Sequence, residues 1–308
     1  MTRPAFPFLL LRCWLLSGLL AAAPLAAEPG TPADIVRDSV LRMTEFFDTT
    51  LPGVLGPRNL ALEFHPKFSD LRDNEYMRLP FELRYGLSKR WELRGGLTPF
   101  FPNPINSGTD HRWGPGELKL GARYDVGRSL GFFDETTVGA EVRFPLGYPP
   151  VDLNDHYTHL KPFVALARKL RTWPHTTFYT NVAYDRSVDV THRDPPPAAV
   201  SRRNIVEFAP GLLFKPAELG WFGEYRFRHI RDDEGWHLAH EIQSGAIWDV
   251  PLARSKNWRL PGKWQLELGY KVQLEEGRDR DHGVSARVNW RTNLREVMNR
   301  GAALWTGK

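Results

Sequence analysis

The stretch Tyr76–Phe101, YMRLPFELRYGLSKRWELRGGLTPFF, decides the fold of this chain. From Met77 to Tyr85 every second residue is apolar, and the same alternation returns after a break at Gly86–Arg90. A period of two over this length predicts two β-strands, each with one apolar and one charged face. Because the break is too short for a crossover helix, we expect the two strands to be antiparallel neighbours.

The alternation continues along most of the chain. The segments that carry it are separated by turn-forming residues and cover 59–68, 76–86, 91–101, 117–126, 136–146, 159–168, 175–186, 204–215, 220–230, 238–250, 263–274 and 283–291. No stretch with helical spacing interrupts this series. The pattern therefore predicts an all-β protein with one antiparallel sheet of about 12 strands, within limits of about 10 to 14.

Composition restricts the class of protein. The 308 residues are 42% hydrophobic and 25% charged, which is typical of a globular chain. A mean hydropathy of -0.42 is compatible with a membrane β-barrel, because only half of each strand is apolar. After the N-terminus no apolar run reaches the roughly 18 residues of a membrane helix, which excludes a helical membrane protein.

Residues 1–27 have the features of a secretory signal peptide. Arg3 and Arg12 are basic, Trp14–Ala23 is largely apolar, and Ala26-Ala27 precedes an acidic residue. The only cysteine, Cys13, lies in this segment, so we predict a mature chain without disulfides or thiol chemistry. Loss of the two arginines lowers the formal net charge from +5 to +3, and this near balance predicts no nucleic-acid partner.

We divide the rest of the chain into three regions. Residues 28–58 are predicted to be a periplasmic N-terminal segment that contains a short amphipathic helix at Pro32–Phe47, where apolar residues recur at helical spacing. This helix would either pack on the first strands or act as a periplasmic plug or docking element. Residues 59–291 form the β domain, and residues 292–308 are a predicted C-terminal periplasmic tail.

Connection lengths separate a soluble sandwich from a membrane barrel. Short breaks at 86–90, 169–174 and 215–219 alternate with long ones at 101–116, 147–158 and 187–203, although 127–135 and 251–262 are long where short turns are expected. Outer-membrane barrels have short periplasmic turns and longer outside loops. We therefore predict a transmembrane antiparallel up-and-down β-barrel in the bacterial outer membrane.

Aromatic residues gather at the strand ends that flank the short turns. These residues are Tyr85, Trp91, Tyr124, Trp173, Phe214, Trp221, Trp248, Trp264 and Trp290. Since antiparallel neighbours meet at the same height, the rings are predicted to form one girdle at a membrane interface.

The polar face of the strands carries charges of both signs in mid-strand. In a barrel this face lines the lumen, where the charges must pair. The predicted lumen-lining residues are Arg78, Glu82, Arg84, Arg94, Arg123, Glu141, Arg143, Glu224, Arg226, Glu267 and Arg287.

Three motifs carry a resemblance to a known family. YGLSKRWELRGGLTPFF at 85–101, GPGELKLGARYDV at 114–126 and TVGAEVRFPLG at 137–147 resemble the phenol-degradation MetA-pathway family, a transporter-like family of bacterial outer-membrane barrels. The resemblance implies a barrel fold, an outer-membrane location and transport. Its motifs are structural, so it assigns no catalytic residue.

We expect a narrow channel or transporter for small molecules, which by the resemblance are hydrophobic or aromatic. The alternative is a structural or surface-interaction barrel whose lumen is closed by salt bridges. An outer-membrane hydrolase using Asp232, Asp233 and His237 is the weaker third reading, and the metal-like spacing of His156 and His159 is more typical of solvated loop histidines. We therefore predict no catalytic residue, cofactor or metal, with outer-membrane lipid and the barrel-assembly machinery as partners and the oligomeric state left open.

Overall fold

The structure is a computed structural model that describes residues 45–46, 49–66, 76–105, 112–128, 131–146, 156–190, 203–232, 235–251, 255, 262–275 and 281–295. All of these residues belong to one compact unit, Ser39–Lys308. No helix within the described ranges is long and apolar enough to cross a membrane.

The described residues form β-strands almost throughout. The strands are β1 (Glu45–Phe46), β2 (Thr49–Thr50), β3 (Asn59–Phe64), β4 (Tyr76–Arg78), β5 (Phe81–Gly86), β6 (Trp91–Pro102), β7 (Gly114–Asp125), β8 (Glu135–Pro145), β9 (Tyr157–Lys169), β10 (Thr176–Val190), β11 (Asn204–Phe214), β12 (Leu219–Asp232), β13 (Gly235–Asp249), β14 (Lys263–Glu275) and β15 (Asp281–Asn293).

The strands from β3 onward close into a barrel. Apart from the short strand β4, each strand pairs antiparallel with the next along the chain. The last strand, β15, pairs with β3, so the sheet closes on itself. The short strand β4 pairs only with β6 and continues the position of β5, so the two count as one barrel strand. The protein is thus a closed antiparallel barrel of 12 strands, which confirms the predicted fold class and strand number.

Proline explains why the predicted strand 76–86 is divided. Pro80 has no N–H to donate to a neighbouring strand, so one hydrogen bond of the ladder is missing at this position. The backbone N–H of Leu79 donates to the carbonyl of Pro99 (3.0 Å), and the carbonyl of Pro80 accepts from His65 (3.0 Å). A bulge between Thr98 and Pro99 accompanies this interruption on β6.

The two faces of the wall differ in chemistry. Side chains alternate between the faces along every strand. The outward side chains are apolar and exposed, as at Leu83 (52%), Ile242 (53%) and Leu268 (60%). The inward set includes the buried charges Arg84, Glu92 and others described below. The barrel is therefore apolar outside and polar inside, the reverse of a soluble protein.

The barrel has two distinct ends. The short-turn end carries the connections 87–90, 170–175 and 215–218, together with the start of β3 and the end of β15. The long-loop end carries 103–113, 146–156 and 191–203. The asymmetry has exceptions, because β12 and β13 are joined by only residues 233–234 at the long-loop end.

Aromatic side chains meet across strands at the short-turn end, as the sequence predicted. The ring centroids are 5.0 Å apart for Trp91 and Tyr124, 6.3 Å for Phe214 and Trp221, and 6.2 Å for Trp264 and Trp290. A second set lies toward the long-loop end, where Tyr225 and His240 are 5.9 Å apart and Tyr270 and His282 also 5.9 Å. The sequence had indicated only the first set.

Some predictions fall outside the described residues. These include the signal peptide, most of the Pro32–Phe47 helix and most of the 292–308 tail. Within the predicted helix range only Glu45–Phe46 is described, and it forms the two-residue strand β1 paired with β2.

Candidate functional site

The candidate site is the lumen of the barrel together with a stretch of chain that crosses it. We call residues 49–58 the lumen segment. Thr49, Thr50, Leu51 and Leu55 of this segment are buried. They precede the first barrel strand, β3, and belong to no wall strand. Contacts with inward side chains from β6, β7, β8, β10 and β12, described below, place the segment inside the barrel.

The first residue of the lumen segment, Thr49, is bound by two side chains of β12. The hydroxyl of Thr49 donates to Glu224 Oε1 (2.5 Å) and accepts from Arg226 Nη2 (2.5 Å). Arg226 Nη2 also lies 3.3 Å from Glu224 Oε1. A buried hydroxyl thus bridges a buried ion pair and ties the segment to one side of the wall.

Four wall side chains hold the backbone of the segment. Asn181 Nδ2 donates to the carbonyl of Thr50 (3.2 Å), and Arg123 Nη2 donates to the carbonyl of Leu51. On the other side, Thr137 Oγ1 accepts from Gly53 N–H (2.7 Å) and Glu92 Oε2 accepts from Leu55 N–H (2.7 Å). Apart from the short β1–β2 pair, the segment lies in no β-ladder, and these side chains supply hydrogen bonds that its buried backbone needs.

One apolar contact adds to these hydrogen bonds. Leu51 packs with a cluster of inward wall residues, which are Ala167, Tyr179, Leu213, Phe222 and Ile247. The Tyr179 ring packs against Gly211, where an added Cβ would lie 2.3 Å from the nearest ring atom. The lumen is therefore packed with side chains around Leu51, at the level of the short-turn half.

The segment leaves the lumen at Gly86. Arg58 N–H donates to the Gly86 carbonyl (2.8 Å), and Arg58 has a φ of 64°, which allows the chain to turn into β3. A Cβ on Gly86 would lie 2.0 Å from the carbonyl oxygen of Gly56. Glycine is thus required at position 86 for the segment to pass this close to the wall.

Arg84 is the centre of an ion-pair cluster beside this exit. Its guanidinium binds Glu92 through two hydrogen bonds (2.8 and 2.7 Å) and Glu63 through a third (2.8 Å). Arg123 Nη1 lies 3.6 Å from Glu92. All four side chains are buried, so each charge depends on the others for solvation.

A second cluster lies on β5–β10, nearer the long-loop end. Glu82 binds Arg94 (2.7 Å) and Lys119 (2.8 Å). Arg143 contacts Asp185, which also binds His159 Nδ1 (2.7 Å). Glu141 lies between these groups, 3.7 Å from Arg94 and 3.8 Å from Arg143.

A third cluster follows on β9–β14. Glu241 is its centre, 3.2 Å from Arg226, 3.5 Å from Arg228 and 3.9 Å from Lys271. Glu207 lies 3.6 Å from Lys161 and 3.9 Å from Arg226. Because Arg226 also holds Thr49, this cluster is connected to the lumen segment.

The structure brings most of the predicted lumen residues into these clusters. Glu82, Arg84, Arg94, Arg123, Glu141, Arg143, Glu224 and Arg226 belong to them, and Arg287 and Glu267 form a separate pair at 3.9 Å. Arg78 lies on β4, opposite Phe100, and is partly buried. Their role as the lining of a substrate path stays a prediction.

Sequence reasoning predicted Arg123, Glu224 and Arg226 as lumen residues but missed the uncharged residues that hold the lumen segment. Thr137 and Asn181 are uncharged, and Tyr179 and Leu51 are apolar for most of their surface, so a search for charges passed over them. The available signal was Thr49–Asn59, TTLPGVLGPRN, which is too apolar for a solvated linker and too rich in proline and glycine for a helix.

Three of the residues weighed for catalysis or metal binding, Asp232, His237 and His159, have partners in the structure. His237 Nδ1 lies 3.6 Å from Asp232 Oδ2, and His159 binds Asp185. Among the described residues, no group of three or more His, Cys, Asp or Glu side chains is arranged to hold a metal ion.

Comparison with known proteins finds no matching family model and no matching curated protein. Among solved structures, the chain is similar to the COG4313 outer membrane channel from Pseudomonas putida F1, with 12% identity and a TM-score of 0.49 over 78% of this chain and 97% of that one. The NanC porin has 12% identity and a TM-score of 0.44 over 76% and 98%. The KdgM porin has 5% identity and a TM-score of 0.39 over 76% and 97%. The resemblance to the MetA-pathway family is not confirmed.

Proposed function

We propose that this protein is a bacterial outer-membrane barrel that acts as a narrow channel for small molecules. The observation that carries the proposal is the inverted wall of a closed barrel, with exposed apolar side chains outside and buried charges inside. An apolar outer face of this kind is stable in hydrocarbon, where closure satisfies every strand edge. The polar inner face then borders the only path through the membrane.

The size of the lumen and its contents make this path narrow. Barrels of about eight strands are filled by side chains, whereas porins with a wide aqueous channel have 16 to 18 strands. The 12 strands here lie between these limits, and the lumen segment occupies part of the interior. The segment therefore limits passage, and its displacement would widen the path.

A second function is favoured by the same segment. The ion pairs around Arg84 and Glu241 and the buried Thr49–Leu55 stretch would also suit a structural or surface-interaction barrel that conducts nothing. The two functions differ in one measurable property, which is ion conductance. The hydrophobic or aromatic substrate rests on the family resemblance alone and stays a prediction, as do the signal peptide and the absence of enzyme activity.

The test is conductance in planar lipid bilayers. We would compare the wild type with a variant in which residues 49–55 are replaced by a Gly-Ser segment of equal length. Small current steps in the wild type and larger steps in the variant are expected. If both proteins form the barrel and neither conducts current, the channel function is overturned and the structural function is favoured.

The location is tested separately. Cell fractionation and heat-modifiable gel mobility should place the folded protein in the outer membrane. Recovery as a soluble periplasmic protein without detergent would contradict the membrane assignment.

A further inference from the structure

The charged side chains in the long-loop half of the lumen differ in how far they are exposed. Arg94 and Arg226 are buried at 1% and 3%. Five other cations on this inner face are more accessible: the exposed side-chain fractions are 20% for Lys119, 26% for Arg143, 16% for Lys161, 21% for Arg228 and 18% for Lys271.

The carboxylates that bind these cations lie deeper. Their exposed fractions are 10% for Glu82, 9% for Glu141, 10% for Asp185, 9% for Glu207 and 2% for Glu241. Glu117 is the exception at 25%, and it lies 4.0 Å from Arg143. In each of the other pairs the carboxylate is the more buried group.

The five cations surround the lumen. Lys119 and Arg143 are direct cross-strand partners on β7 and β8, and Lys161 follows on β9 opposite Glu141. Arg228 and Lys271 lie across the barrel on β12 and β14, and both contact Glu241. The side-chain hydrogen bonds of the lumen segment described above go to other residues, Glu92, Arg123, Thr137, Asn181, Glu224 and Arg226.

An ion in the lumen water is closer to the cations than to their buried partners. Coulomb energy falls with distance, and the low-dielectric wall strengthens the field of the nearer groups inside a narrow space. The more exposed cations therefore present a positive potential toward the lumen. Lysine and arginine also offer several N–H donors that suit carboxylate oxygens.

We infer that the long-loop half of the lumen is a binding site for small organic anions of the carboxylate class, formed by Lys119, Arg143, Lys161, Arg228 and Lys271. This inference rests on the proposed channel function and names its substrate class. Solutes would reach the cations first, and the lumen segment would delay their passage through the short-turn half.

The experiment measures the reversal potential under a potassium chloride gradient, with potassium acetate as the second electrolyte. Both the wild type and the Gly-Ser variant of the lumen segment are recorded. The expected result is a preference for chloride and acetate over potassium, and a shift of the reversal potential toward cation preference in Lys161→Gln/Lys271→Gln.

The matched control is Arg186→Gln/Arg231→Gln. It also removes two positive charges near the long-loop end, but both side chains are exposed on strand positions that alternate with inward ones. This variant should leave the reversal potential unchanged. Heat-modifiable mobility confirms that each variant is folded before recording.

The outcomes separate the two proposals. If no current flows in the wild type or in the Gly-Ser variant, the channel function fails and the anion site fails with it. If current flows with cation preference, only the anion site fails. An anion preference that survives Lys161→Gln/Lys271→Gln unchanged would overturn the assignment of the site to these cations.

Discussion

Arg84 and Glu92 join the barrel wall to the segment inside it. Arg84 Nε and Nη2 bind the two carboxylate oxygens of Glu92 at 2.8 and 2.7 Å, and Glu92 Oε2 also accepts the backbone N–H of Leu55 at 2.7 Å. Both side chains are fully buried. The pair therefore contributes to wall stability and to retention of the lumen segment.

Arg84→Leu should lower the free energy of unfolding by about 3–5 kcal/mol, because it leaves Glu92 and Glu63 buried without their main cation. The measurement is the urea midpoint of tryptophan fluorescence for protein folded in lipid vesicles. Lys89→Leu, in an exposed turn, serves as the control and should change little. The double variant Arg84→Leu/Glu92→Leu should recover part of the lost free energy of unfolding. If Arg84→Leu alone is as stable as the wild type, the pair does not stabilise the wall.

Leu120→Arg and Leu268→Arg should each cost about 2–4 kcal/mol if the positions lie near the bilayer midplane, because they place a charge in hydrocarbon. The two leucines are exposed on the outer face, at 48% and 60%. The same vesicle unfolding measurement applies, with Leu120→Ala and Leu268→Ala as controls. Full tolerance of arginine at both sites would mean that this face contacts water.

Gly211→Ala should destabilise the barrel by about 1–3 kcal/mol, because the added Cβ overlaps the Tyr179 ring and the packed inner wall cannot expand freely. The matched control is Gly95→Ala, whose Cβ would meet its nearest atom at an ordinary 3.7 Å. A double-mutant cycle with Tyr179→Ala tests the cause. Additive losses in Gly211→Ala/Tyr179→Ala would show that the two residues do not interact.

Gly86→Ala should displace the lumen segment, because its Cβ would lie 2.0 Å from the carbonyl oxygen of Gly56 and 2.6 Å from that of Leu55. Thiol labelling of Leu51→Cys in the folded barrel measures this, since the predicted mature chain has no other cysteine. The labelling rate of Leu51→Cys should be low when residue 86 is glycine and higher when Gly86→Ala is added.

Gly223→Ala is the control for that substitution, because nothing lies within 4 Å of its added Cβ. It should leave the Leu51→Cys labelling rate unchanged. Equal rates in the Gly86→Ala and Gly223→Ala backgrounds would show that the close approach at Gly86 does not hold the segment.

The strands were predictable because their signal is local. Each segment carries its own alternation, so predicted ranges such as 204–215 and 263–274 differ by one residue at most from Asn204–Phe214 and Lys263–Glu275. The division of 76–86 at Pro80 was missed, although proline is a local signal, because the alternation continues across it. Most lumen charges were also predictable, since an inward position follows from strand parity.

Ion-pair partners were not predictable to the same degree. Arg84 and Glu92 are eight residues apart on adjacent strands, whereas Arg143 and Asp185 are separated by 42 residues on β8 and β10. The odd or even position of a residue along its strand determines whether its side chain faces inward. The shear of the closed barrel determines which inward side chains of different strands lie at the same height along the barrel axis. The sequence contains no local record of that stagger.

The sequence by itself determined an antiparallel β-barrel with an apolar outer face, a charged inner face and an aromatic girdle, because alternation and turn residues act over a few positions. Only the tertiary structure decided that residues 49–58 lie inside this barrel. The partners of that segment, from Thr137 on β8 to Glu224 on β12, are far apart in the chain and become neighbours only when the wall closes. Buried backbone must find hydrogen-bond partners wherever it lies, and inside the barrel those partners are wall side chains from five different strands.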